Sequence, residues 1–274
     1  MPTLEQNLQL WNRTYDWSRE GEEWSAAWGG SEFQWFGTIF PRIHAFLPAH
    51  TILEIAPGFG RWTQYLRSHA ERLTVVDLSQ ACIQACQRRF SGDPKITYHV
   101  NDGRSLEMIP DRSVDFVFSF DSLVHAEADI IQGYLAQIAR KLKPEGCGFI
   151  HHSNLGEYPR IHAAAERMPG TVRQLLVKTG MLDQTHWRAA SMTADLFRNY
   201  CEESALACVG QEVVPWGTRR LSIDCFSVFA AKGSRWTRTN RLVRNQDFMR
   251  EVDSLRRLSG LYAWEPSTRN RDTA

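Results

Sequence analysis

Three histidines and one aspartate stand where this chain could move a proton. His125 follows the apolar run Val114, Phe116, Val117 and Phe118 by a few residues, with Asp121 between them, and His151 and His152 close the run that begins at Cys147. A histidine titrates near neutrality, so it can take a proton from an attacking nucleophile at physiological pH. A second chemical element lies upstream, where Ile52, Leu53 and Ile55 run into Pro57-Gly58-Phe59-Gly60. Glycines there remove the Cβ atoms that would hold a ligand off the backbone, and the helix that follows offers unpaired N–H groups. Asp77, at the end of the next apolar run, can accept bonds from two ribose hydroxyls. The pattern implies a nucleoside-bearing ligand beside a proton acceptor.

Positioning these groups requires alternating elements. The sequence predicts strands over 52–55, 73–76, 96–100, 114–119 and 147–152. Helices are predicted over 61–70, 79–90 and 128–142, with Ser79 as an N-cap. A helix over 193–204 and strands over 208–214 and 223–230, an antiparallel edge pair, complete the fold. This is an α/β, Rossmann-like, seven-stranded, mostly parallel sheet with helices on both faces. Strand alternation sends His151 and His152 to opposite faces, so at most one aims into the cleft.

Residues 1–46 form a helical, Trp-rich segment, with helices expected over 4–16 and 31–46. Trp11, Trp17, Trp24, Trp28 and Trp35 either pack it onto the domain or build a lid over the ligand. The domain spans 47–233 and includes an insertion, 153–191, with short helices over 160–167 and 171–179. An insertion at the C-terminal edge of a parallel sheet reads as a substrate cap, or as a homodimer contact. Residues 234–274 form a helical extension whose last residues read as disordered.

A net charge of +1 gives no reason to expect a nucleic-acid partner. No run approaches the roughly 18 apolar residues of a membrane span, and the start of the chain lacks the form of a signal peptide. Six cysteines without a C-x-x-C pair point to reduced, buried thiols and a cytoplasmic location.

The glycine register, Glu54-x-Ala56-x-Gly58-x-Gly60, is not that of the dinucleotide fingerprint. With Asp77 and Asn101-Asp102-Gly103, it resembles the class I S-adenosylmethionine (SAM)-dependent methyltransferases, Ala56 standing at the first glycine of their motif. Within them the chain is similar to bacterial methyltransferases encoded with glycan and O-antigen biosynthesis enzymes. That likeness rests on Glu23-Trp24-Ser25, Trp28-Gly29-Gly30, Phe118 to His125 and Ile150 to Asn154.

The resemblance implies SAM as cofactor and a small-molecule or glycan acceptor. Glu54, Ala56, Gly58 and Gly60 would line the methionine end, Asp77 would bind the ribose, and Leu78 would lie against the adenine. Asp102 and Gly103 would meet the adenine edge, Phe120 or Asp121 would sit beside the reacting methyl, and Trp24 and Arg61 would belong to the same cofactor set. The expected acceptor residues are Trp28, His151, Asn154, Arg160, Trp187 and Arg188. For a sugar hydroxyl, His125 is the expected base with Asp121 orienting it, and His152 is its alternative. A divalent ion on Asp121, His152 and Asn154 is a competing route, with the metal otherwise none. N- or O-methylation of a small secondary metabolite is a second function, and SAM binding without catalysis is a third.

Overall fold

The computed structural model describes residues 3–179, 187–218 and 221–263. Its strands are β1 (Ala49–Ile55), β2 (Ala70–Asp77), β3 (Ile96–Val100), β4 (Val114–Ser119), β5 (Leu142–Ser153), β6 (Leu206–Val214), β7 (Asp224–Ala231) and β8 (Leu242–Arg244). They form one sheet in the order β3-β2-β1-β4-β5-β7-β6-β8. β1 pairs in parallel with β2 and β4, and β4 with β5, so these strands end on one edge. β7 runs antiparallel to both β5 and β6.

The expected seven strands are thus eight. β8 pairs in parallel with β6 and takes the edge that the β6–β7 pair was expected to form. It has three residues, all exposed, so it lacks the alternation that marks a half-buried strand.

Each face of the sheet is covered by helices. On one side Trp35, Ile39 and Ile43, with Phe248 and Val252, close over Phe116, Phe118, Phe149 and Phe226. On the other, Ile130, Ile131, Leu135 and Ile138 of the helix Ala128–Lys141 pack beside Phe197 and Cys201 of the helix Ala194–Glu203. Burial of such side chains stabilises by about 1.5–3 kcal/mol each. The run Val114, Phe116, Val117 and Phe118 is buried throughout, as a central parallel strand requires.

The two helices expected in the N-terminal segment each contain a wide turn. Leu4–Gln9 is followed by a π-helical turn, Leu10–Thr14, and Ser31–Gln34 by another, Trp35–Ile39. Pro41 then enters at the first turn of Phe40–Ile43, where its missing N–H costs least. Between the two helices lies a 3₁₀ turn, Glu22–Trp28.

The helix Phe248–Leu261 braces this segment. A Cβ on Gly29 would lie 1.8 Å from Ser259 Oγ, and one on Gly37 would lie 2.5 Å from Leu255, so both glycines let the helix approach. Arg42 completes the joint by forking onto Glu212 at 2.6 and 2.7 Å, with Glu251 at 3.5 Å. Among the described residues, no helix is long and apolar enough to cross a membrane. The tail read as disordered lies outside the described residues.

Candidate active site

At the C-terminal edge of β1, β2 and β4 lies a cavity of about 290 Å³, near the lower end of the range for small-ligand sites. Its floor is the turn after β1. Ala56 has φ +58, a left-handed conformation that disfavours a side chain. It is held there by its N–H, which donates to Val76 O at 2.7 Å, and its carbonyl accepts from Ser122 Oγ at 2.7 Å. Gly60 has φ +85, and a Cβ on it would stand 2.5 Å from the Phe90 ring, so no other residue fits that turn.

Asp77 lines the cavity from the end of β2. It accepts from Gly58 N–H at 3.2 Å and Ser79 N–H at 2.8 Å, while burial raises its pKa to about 6. Glu54, one strand away, accepts from Thr63 Oγ1 at 2.6 Å, and its Oε1 is buried with no partner among the described residues. Burial lifts its pKa to about 8.

The exit of β4 carries the polar chemistry. Asp121, at φ +63, accepts from Arg61 Nη2 at 2.7 Å, and its N–H donates to His151 Nδ1 at 3.2 Å. His151 Nε2 meets Asp224 Oδ2 at 3.0 Å. A carboxylate accepts, so Nε2 carries the proton and both ring nitrogens are engaged. Arg188 forks onto the same Asp224 at 2.9 and 2.8 Å, and this cation holds the buried carboxyl well below its ordinary range.

His125 stands apart from that network. Its Nδ1 lies 3.0 Å from Trp187 O, and a carbonyl only accepts, so Nδ1 is protonated and Nε2 holds a lone pair. One edge of the ring lines the cavity. The ring is nonetheless enclosed deeply enough that burial, with Arg188 nearby, lowers its pKa to about 4. The imidazole is therefore neutral at pH 7.

Residues 52–146 match a family model described as a methyltransferase domain. That match covers the glycine turn, Asp77, the cavity floor and the exit of β4. The fold is that of the class I SAM-dependent methyltransferases.

A phosphoethanolamine N-methyltransferase of Triticum aestivum is 33% identical over 119 residues, which are 41% of this chain and 24% of that protein. The chain therefore spans about a quarter of the length of the curated relative it matches. Among solved structures, a SAM-dependent methyltransferase of Methanosarcina mazei has a TM-score of 0.54 at 17% identity, over 72% of this chain and 99% of that one. The [4+2]-cyclase SpnF has a TM-score of 0.56 at 14% identity, over 85% of this chain and 97% of that one. At such identities the likeness is one of fold, and the cyclase illustrates that fold alone does not fix chemistry.

SAM is the cofactor this methyltransferase domain implies. The residues present fit it. A Cβ on Gly103 would lie 2.9 Å from Leu4, and one on Gly58 would lie 3.1 Å from Trp17, so both loops pass close beneath the N-terminal segment. The Asp77 carboxyl on the cavity wall suits a ligand bearing hydroxyls.

Of the residues expected at the site, Trp24, Ala56, Gly58, Arg61, Asp77, Leu78, Gly103, Phe120, Asp121 and His125 line the cavity. Glu54 and Gly60 support its floor from behind. Asp102 is exposed and turns inward to accept from the Arg104 and Ser105 N–H groups, leaving the cavity edge to Gly103 and Arg104.

The acceptor residues are dispersed. Trp28 is in the core, donating to Thr38 Oγ1 at 2.8 Å. Arg160 is exposed on the helix Pro159–Glu166. The Trp187 ring is 62% exposed. His151 and Arg188 meet at Asp224, behind Asp121.

His152 faces the opposite layer from His151. It stacks on Phe197 at 4.4 Å, with Nε2 on Ser227 Oγ and Nδ1 on Ser153 O. The Asn154 amide accepts from Ala194 N–H and donates to Ser222 O. The three groups of the metal alternative, Asp121, His152 and Asn154, thus belong to separate networks.

The sequence named Trp11 and Trp17 only as packing or lid residues, without singling them out as lining residues, and did not point to Phe59. Trp17 stacks on Phe59 at 4.3 Å and donates to Trp11 O at 2.9 Å. Asn12 Oδ1 accepts from Ser79 Oγ and the Ala81 N–H, which fastens this wall to the start of the helix Gln80–Arg89. Aromatic count was the signal; nothing in their spacing named these three.

Proposed function

We propose that the chain transfers a methyl group from SAM to a hydroxyl of a small sugar- or glycan-class acceptor, with His125 as the proton acceptor. The observation that carries this is the His125 tautomer, which leaves an Nε2 lone pair on a residue of the cavity wall. SAM, when bound, supplies a methyl carbon on a cationic sulfur, open to in-line displacement. The chain contributes alignment and exclusion of water. Asp77 with the Leu78 and Gly103 backbone holds the nucleoside, and Gly58, on the floor that Glu54 supports from behind, holds the amino-acid end. The indoles of Trp11, Trp17 and Trp24 form a lid whose faces favour positive charge and stack on sugar rings.

Burial keeps His125 unprotonated at neutral pH and makes it a weak base. That suits a hydroxyl whose oxygen becomes positively charged as it attacks, because such an oxygen gives up its proton readily. The insertion, 153–191, contributes the Trp187 carbonyl and stands as the acceptor cap. Six free, buried cysteines fit a reducing compartment, and we assign the chain to the cytoplasm.

The test is incubation of the full chain with methyl-labelled SAM and methyl α-glucoside, reading label transferred to the sugar. Transfer that His125→Ala abolishes supports the reading, and transfer that His125→Ala leaves intact removes the base.

A second reading, an amine acceptor, is favoured by the activity for which the wheat relative is named and by the acidic wall of Glu20, Asp77, Asp121, Glu127 and Asp129. An amine needs no base during attack, so label on phosphoethanolamine that survives His125→Ala selects it.

A further inference from the structure

His125 sits on a short turn, Leu123–His125, and its hydrogen bond among the described residues reaches 62 positions along the chain, to Trp187. Trp187 has φ +59, a conformation that costs an aromatic residue free energy and persists only where neighbours impose it. Those neighbours are visible. The Ala189 N–H donates to Val124 O at 2.9 Å, and Ser153 Oγ donates to Ala189 O at 2.6 Å. Between Trp187 and Ala189, the buried Arg188 forks onto Asp224 with two bonds.

Asp224 is itself held in the sheet. It opens β7, is paired on both sides, with Ser153 of β5 and Val214 of β6, and is fully buried. Its second partner, His151, receives the N–H of Asp121, the other residue of this region held at positive φ. One carboxylate therefore bonds two side chains, Arg188 and His151, that stand next to the contacts made with His125 and Asp121.

We propose that Asp224 is a positioning residue for the transfer. Through Arg188 it fixes the Trp187 carbonyl that selects the His125 tautomer, and through His151 it fixes the Asp121 backbone. This rests on the reading of His125 as proton acceptor. The charged groups facing His125 are Arg188, Asp121 and Asp224, and the Trp11 ring lies 5.7 Å away. In a variant without the Asp224 charge, Arg188 loses its forked ion pair, while Asp121 Oδ1 stands at 3.9 Å on the cavity side. The Trp187 carbonyl is then no longer held against Nδ1.

The experiment records histidine ¹⁵N spectra of the full chain, with His125 assigned by its loss in His125→Ala. The native protein shows Nδ1 protonated. Folded Asp224→Asn moves His125 toward the Nε2-protonated form and lowers label transfer to methyl α-glucoside at least tenfold, with calorimetric SAM affinity within twofold of native. Arg188→Lys keeps the charge but cannot fork, serves where Asp224→Asn does not fold, and gives the same tautomer change. Retention of the native tautomer in a folded variant of either kind overturns the proposal. Failure of the native chain to bind SAM counts against the proposed function instead, because the tautomer is read without ligand.

Discussion

Thr63 Oγ1 donates to Glu54 Oε2 at 2.6 Å while the other Glu54 oxygen is buried without a partner among the described residues. One hydroxyl does not offset full desolvation, so the pKa of Glu54 rises from 4.5 to about 8. Between those values the folded chain binds more protons than the unfolded one, so stability falls as pH rises. Above pH 6.5 the half-buried His125 and the buried His152, both depressed to about 4, no longer contribute. The melting temperature therefore drops from pH 6.5 to pH 8, by the equivalent of about 2 kcal/mol. Glu54→Gln flattens that limb, and calorimetric melts across the interval check it.

Asp77→Ala removes an acceptor shared by the Gly58 and Ser79 N–H groups. SAM affinity falls roughly 10- to 100-fold, and the unfolding free energy falls by about 1–3 kcal/mol. Isothermal calorimetry and denaturant titration measure the two separately. Asp77→Asn recovers most of the stability but not the affinity.

For a hydroxyl acceptor, His125→Ala lowers the rate of transfer by roughly 10²–10⁴-fold. In the native enzyme that rate falls as pH drops through about 4, where His125 becomes protonated, and it owes no slope to this residue near neutrality. A pH–rate profile with an acid limb near 6.5 in place of 4 would contradict the buried, carbonyl-bonded imidazole.

Trp17→Ala opens the wall over Gly58 and Phe59. SAM dissociates faster by roughly 2- to 10-fold, the equivalent of one aromatic stack of about 0.5–1.5 kcal/mol. Stopped-flow fluorescence reads this directly. An unchanged dissociation rate would leave the N-terminal indoles a packing role only.

The floor of the cavity was legible because backbone constraints write themselves into residue type. Gly60 is demanded by Phe90, and Asp77 by the strand end it terminates. The wall was not legible, because Trp11 and Trp17 reach the site through a π-helical turn and a loop with no period to read. β8 escaped detection since its side chains face solvent on both sides. Asp224 left a signal that went unread: an acid directly before Cys225-Phe226 in an apolar strand is a charge that must be buried with a partner. That two adjacent histidines face opposite sides follows from strand alternation, but which of them stands on the cleft side, and the engagement of His151 by Asp224, needed three dimensions.

Gly29 and Gly37 accept the helix Phe248–Leu261 at contact distance, so one wall of the cavity rests on an element translated after every strand of the sheet. A chain emerging from the ribosome has every strand of the sheet before it can complete either the core beneath that helix or the roof above it. A nascent chain halted before that helix would carry a finished sheet and a ligand site that still leaks to solvent.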